Sequence, residues 1–326
     1  MTRKPRVSEM FTRAEIQQLS ARSDWMGGWA VASTWAVIAL SFAGLVLARE
    51  HLPTWGFVLA LLLGLLIIAG RQLCLAILQH DAAHGTLFKS KWGNDVLADW
   101  LCARPIWNQL HKYRPYHLQH HGKTSTAEDP DLSLVSGFPT TRRSLLRKFA
   151  RDLSGLTGLK FLLGRLLMDA GVLKWTVAND VQRLPSEGRR WWDYGLDLAA
   201  NSFGMLLRNG LLLALLWQLG QAWLFGVWLL AYVTPFPLLL RIRSLAEHAC
   251  LPSSSSPLHN TRSTTAGWLA RCTVAPLRVN FHIEHHLMAS VPYYRLPHLH
   301  QLLRERELVP LSPSYWQVLK LVSQRG

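Results

Sequence analysis

Eight of the chain's 14 histidines fall into three tight groups. The first is His80 and His84 in HDAAH, the second His117, His120 and His121 in HLQHH, and the third His282, His285 and His286 in HIEHH. Residues at i, i+3 and i+4 share one helical face, so each group would present its imidazoles in one direction. Neutral imidazole is a good ligand for iron, zinc, copper and nickel. A single pair of this kind is more often an ordinary surface or hydrogen-bonded pair, but three groups in one chain need a common explanation. A structural zinc takes about four ligands and a catalytic zinc about three. Eight or nine histidines exceed one metal's needs, so two metals are implied. No thiolate pair or carboxylate cluster accompanies them, which suits redox metals and oxygen activation better than zinc.

The elements that must position these groups are apolar helices. Residues 25–48 form an uncharged apolar run after Asp24, long enough to cross a hydrocarbon core of about 30 Å at about 1.5 Å per residue. The run is too long for a signal-peptide core, and no clean small-residue cleavage site follows, so it is read as a retained membrane anchor. A second run, 55–70, continues through Arg71 into LCLAIL and reads as one long helix leaving the membrane near Arg71, whose side chain can snorkel. Residues 85–195 hold no full span and are dense in Lys and Arg. Within them, 160–175 reads equally as an amphipathic helix in the membrane interface or as part of a soluble cap. Residues 209–240 lack Lys, Arg, Asp and Glu. That run is long for one span and short for two. Adding 197–208 gives a hairpin with its turn near Gly220 and Gln221, and brings Arg208 into or near the membrane. One span there would put the third histidine group on the opposite membrane face from the others, so the need to share a site favours the hairpin.

The mean hydropathy is slightly positive despite 35 Lys and Arg. Apolar and basic residues must therefore be segregated along the chain. The 15 tryptophans suit a membrane–water boundary. The net charge of +15 is compatible with an anionic membrane face. No zinc-finger spacing, RNA-recognition signature or basic-aromatic stripe points to nucleic acid, and no nucleic-acid partner is expected. The cysteines, Cys74, Cys102, Cys250 and Cys272, form no C-x-x-C pair and read as small buried hydrophobes. Five basic residues precede residue 25, one, Arg49, lies between the first two runs, and the later turn has none. The positive-inside rule then puts both termini and all three histidine groups on the cytoplasmic side. The expected fold class is all-α: an integral membrane protein of about four transmembrane helices in two hairpins, with a cytoplasmic helical cap carrying the metal site. Residues 1–24 are expected to be a cytoplasmic N-terminal segment and 25–326 a single membrane domain, with no repeat at a solenoid period.

The order H-x(3,4)-H, H-x-x-H-H, H-x-x-H-H around two membrane hairpins resembles the membrane fatty-acid desaturase and hydroxylase superfamily, from about residue 50 to residue 305. The flanks HGKTSTAEDPDL and NFHIEHHLMASVPYYRLPHLH fit as well. The resemblance implies an oxidoreductase with a non-haem di-iron centre of two Fe ions, O2 as co-substrate, and hydrogen removal from an unactivated lipid acyl chain. The family's further ligand between its second and third boxes would fall on His248, with His259 as the rival. His51, His111, His298 and His300 are left as non-ligands. Asp81, Asp129, Glu247, Asn280 and Glu284 lie near enough to orient the imidazoles, though each could equally be a cap or surface charge. No side-chain nucleophile is required. No haem or iron–sulfur cysteine pattern is present, so a separate electron donor of ferredoxin or cytochrome b5 type is expected beside the membrane lipids.

A hydroxylase or ketolase acting on a lipid or carotenoid stays open within the class. A metalloprotease would need Glu where Asp81 stands and leaves six histidines idle. A metal transporter would place its polar groups inside the spans. Acyl carrier, chain length, bond position, donor and oligomeric state are not written in these motifs.

Overall fold

The computed structural model describes residues 6–324. It is all-helical, with no strand among the described residues beyond isolated bridges. Four helical stretches are long and apolar enough to cross a membrane: Arg13–His51, Thr54–Ala83, Trp191–Gln218 and Trp223–His248. The helices used below are α1 (Arg13–Leu19), α2 (Asp24–His51), α3 (Thr54–Ala83), α4 (Leu110–Lys123), α5 (Arg142–Leu153), α6 (Leu156–Asp169), α7 (Trp191–Gln218), α8 (Trp223–Val233), α9 (Pro235–His248), α10 (His282–Leu287), α11 (Leu296–Glu305) and α12 (Tyr315–Val322).

Composition explains the long helices. In α2, Ala30, Val31, Thr34, Ile38, Phe42 and Leu45 recur every three or four residues and are buried. The opposite face is apolar too: Leu40 is 71% exposed, and Leu59, Leu62 and Leu63 of α3 are also bare. A helix apolar all round belongs in lipid. Trp25, Trp55, Trp191 and Trp217 stand exposed at helix ends, as expected of rings at the membrane boundary.

α3 is the central helix and packs against α2, α4, α8 and α9. Ile68, Leu73, Leu75 and Leu78 on it are fully buried. It is continuous past Arg71, as the sequence implies. The guanidinium of Arg71 donates to the Cys272 carbonyl at 2.8 Å, so it is satisfied by protein rather than by reaching for water. Gly70 beside it allows that segment to come close: a Cβ there would lie 2.4 Å from the same carbonyl oxygen.

The turn expected near Gly220 falls between Gln218 and Trp223, with Gly220 at φ +70°. Its Trp223 packs edge-on to Phe57 and under Arg49, so this turn and the 52–53 link lie at the same end of the bundle. α7 starts earlier than the apolar run, at Trp191, because Asp193 accepts from the Arg190 N–H at 2.7 Å and caps it. The last apolar stretch is broken at Thr234–Pro235 into α8 and α9. Proline supplies no N–H and its ring clashes with the preceding turn. Arg208 lies with its guanidinium 4.9 Å from the centre of the Trp35 ring, a cation–π contact that compensates a charge in an apolar setting.

At the opposite end, the shorter helices gather around the tips of α3 and α9. α5 and α12 close on α9 through Leu145, Leu245, Val318 and Val322. Phe11 and Leu19 of the N-terminal segment pack with Ile283 and Leu287 of α10 and Leu299 and Leu303 of α11.

Candidate metal centre

Each histidine group rides on a helix where its spacing aligns the rings. His80 closes α3 and His84 caps it. His117, His120 and His121 lie on the last two turns of α4, and α10 is little more than the third group itself. His248 ends α9. These four segments converge. His80, His84, His117, His121 and His285 bring one ring nitrogen each to within 4.8 Å of one another. A neighbouring set joins His120, His248 and His286, and a third joins His248 and His282 with Glu247. The rings of His121 and His286, stacked at 4.0 Å, connect the first set to the second.

All nine histidines singled out in the sequence are thus brought together. The rival, His259, lies exposed outside these sets.

The inward nitrogens suit a cation. His80 Nε2, His84 Nε2 and His286 Nε2 are buried without a hydrogen-bond partner. Nε2 atoms face one another at 3.1 Å between His117 and His121, 3.0 Å between His121 and His285, and 2.8 Å between His248 and His282. A buried unsatisfied polar group costs roughly 1–3 kcal/mol, so several at one point call for a common partner. Burial also holds the His117, His282, His285 and His286 rings well below the ordinary histidine range, and His84 down to about 4. They are therefore neutral near pH 7, the form that ligates.

The outward nitrogens are fixed by the fold. His80 Nδ1 lies 2.9 Å from Asp81 Oδ1, and His120 Nδ1 2.8 Å from Asp129 Oδ1. The Asp129 carboxylate also accepts from the Ser125 and Asp131 N–H groups; accepting from His120 Nδ1 as well, it leaves His120 Nε2 for a metal. Burial works to lower His120, but the Asp129 hydrogen bond and the Asp131 charge outweigh it and raise its pKa. Thr124 Oγ1 stands 3.3 Å from His286 Nδ1. Glu247 pairs with Arg243 at 2.8 Å and approaches His282 Nδ1 at 3.7 Å.

The other two acidic or amide candidates do something else. Glu284 is fully buried and accepts from Ser263 and from His300 Nδ1 at 2.6 Å. Asn280 donates to the Thr264 carbonyl at 2.8 Å. Both brace the segment that carries α10, and His300 acquires a supporting place that its spacing did not advertise.

A cavity of about 350 Å³ opens onto this cluster. His117, His120, His248 and His282 form part of its wall, with Ala76, Gln79, Leu167, Met168, Phe236 and Leu240 among the other lining residues. The arrangement can hold metal ions beside a largely apolar pocket.

Comparison with known proteins agrees with this geometry. A dihydrorhizobitoxine desaturase of Bradyrhizobium elkanii is 28% identical over 311 residues, which covers 91% of this chain and 81% of that protein. Residues 52–318, which span all three histidine groups, match the fatty acid desaturase family. On that match the chain belongs to the fatty acid desaturase family, and with it to the oxidoreductases.

Proposed function

We propose that the protein is an O2-dependent membrane desaturase that introduces a double bond into an acyl chain at a di-iron centre. The observation that carries this is the convergence of nine histidines from four segments, four of which, His117, His120, His248 and His282, line one cavity. Five histidines, His80, His84, His117, His121 and His285, would hold one iron. His120, His248, His282 and His286 would hold the other, with Glu247 alongside. When bound, the irons supply activation of oxygen and removal of hydrogen from an unactivated methylene.

The chain's own part is to position and exclude. Leu167, Met168, Phe236 and Leu240 line the cavity and offer an acyl chain an apolar bed. Asp129 would fix the tautomer of His120, and Asp81 holds the ring of His80 in place. No side chain acts as a nucleophile. Electrons come from a separate donor of ferredoxin or cytochrome b5 type.

In this reading residues 25–326 form one membrane domain, with two hairpins and a helical cap. Both termini and the histidines lie on the cytoplasmic side. Helix length supports it: His80 lies roughly 39 Å along α3 from Thr54, beyond a hydrocarbon core of about 30 Å. The shared end of the two turns supports it as well.

The test is expression in a host of simple fatty-acid profile, with total lipids compared by mass spectrometry beside His285→Ala. Two mass units lost, absent in the variant, is the expected result. A gain of one oxygen would replace desaturation by hydroxylation. Iron-free protein that leaves lipids unchanged would overturn the di-iron reading.

A further inference from the structure

The charged groups around the cavity are matched or exposed to water, with one exception. Asp129 takes His120, Glu247 takes Arg243, and Asp131 accepts from the Tyr116 hydroxyl at 2.6 Å. Lys160 is exposed to water. Arg165 of α6 also lines the cavity, and its Nη1 is buried with no hydrogen-bond partner. The guanidinium lies 4.9 Å from the centre of the Trp175 ring, whose Nε1 is likewise buried and unpartnered. Asp169, one turn further along α6, is taken by Lys112 at 3.1 Å and Ser202 at 3.4 Å. Gln79, next to His80, lines the same cavity with both amide atoms buried and unpartnered. A bare hydrocarbon in this cavity would leave Arg165 Nη1 and the Gln79 amide unsatisfied, and a charged group without its hydrogen-bond partner is the costlier of the two.

We propose that Arg165 is the anion-binding residue of the substrate cavity, and that the substrate is an acid-bearing amphiphile whose carboxylate pairs with its guanidinium while the apolar part lies toward the histidines. This deepens the desaturase reading and rests on it for naming the cavity the substrate site. The guanidinium fork pairs with a carboxylate or a phosphate alike; charge favours the carboxylate, because one buried guanidinium balances a single negative charge, whereas a phosphomonoester brings close to two.

The experiment is equilibrium binding of radiolabelled decanoate, methyl decanoate and decyl phosphate to the iron-loaded full chain in nanodiscs of neutral lipid. Wild type, Arg165→Leu, Arg165→Gln and Arg165→Lys are compared. Wild type should bind decanoate at least about tenfold more tightly than the ester. Arg165→Leu and Arg165→Gln should lose that preference while binding the ester within about twofold of wild type, and Arg165→Lys should keep part of it. Ester binding by a variant shows that its cavity is folded. If Arg165→Leu fails this control, Arg165→Gln decides.

Equal binding of acid and ester by wild type overturns the proposal. So does binding of neither, or a preference for the acid that survives in Arg165→Gln. A dependence on Arg165 seen with decyl phosphate and not with decanoate overturns the carboxylate assignment in favour of a phosphate. Product formation does not enter the measurement. Selective, Arg165-dependent binding of decanoate by a protein that yields no desaturated lipid would count against the reaction and leave the anion site standing.

Discussion

Asp129 is 8% exposed and accepts from His120 Nδ1 at 2.8 Å, while its other oxygen accepts from the Ser125 N–H. It therefore ties the ring of a proposed ligand to the loop that follows α4. Removing such a partner typically lowers metal affinity about 10–100-fold. Asp129→Ala should show a loss of that size in chelator competition for iron, and His259→Ala should match wild type. Unchanged affinity in a folded Asp129→Ala would mean that packing alone orients His120. The histidines were legible because i, i+3, i+4 spacing is a local property of a helix. Which neighbours would orient them was legible only in part. Asp81 and Asp129 lie near their rings in sequence and meet them in space. Glu284 sits between two histidines in sequence, yet its carboxylate turns to Ser263 and His300. Its partners lie 21 and 16 residues away, and no local pattern announces contacts made by tertiary folding.

At the scale of helices, length and uniform apolarity located the four long segments, and Gly220 marked the turn. The break at Thr234–Pro235 escaped notice because the run stays apolar across it; hydropathy does not register a lost N–H. The early start of α7 escaped for the opposite reason, since Asp193 and Asp197 lower the hydropathy of a stretch that its cap makes helical. Orientation remains a prediction of charge: basic residues crowd the end that carries the histidines. Glu50, at the end of α2, and Ser253, after α9, are both exposed and belong to opposite ends of the spans. With Cys250 and Cys272 changed to Ser, a membrane-impermeant maleimide should label Glu50→Cys on intact cells. It should label Ser253→Cys only after permeabilisation. The reverse order would place the metal centre on the far side of the membrane.

At the scale of the molecule, one cluster ties together parts of the chain that the membrane does not. α3 packs directly against α4 and α9, and the imidazoles bring α10 onto the same cluster. A cation bound there would join all four segments, so its binding free energy adds to the stability of that assembly. At a free metal concentration about a thousand times the dissociation constant, the gain is about 4 kcal/mol. Stripping iron with a chelator should therefore lower the thermal midpoint of the detergent-solubilised protein by several degrees. Far-ultraviolet helical signal should change little, because the spans keep their own hydrogen bonds in an apolar medium. His285→Ala, short of one proposed ligand, should show a smaller shift on chelation. Identical midpoints for wild type before and after chelation, with iron loss verified by metal analysis, would mean that the four segments are held by packing alone. The metal would then act on chemistry without supporting the fold.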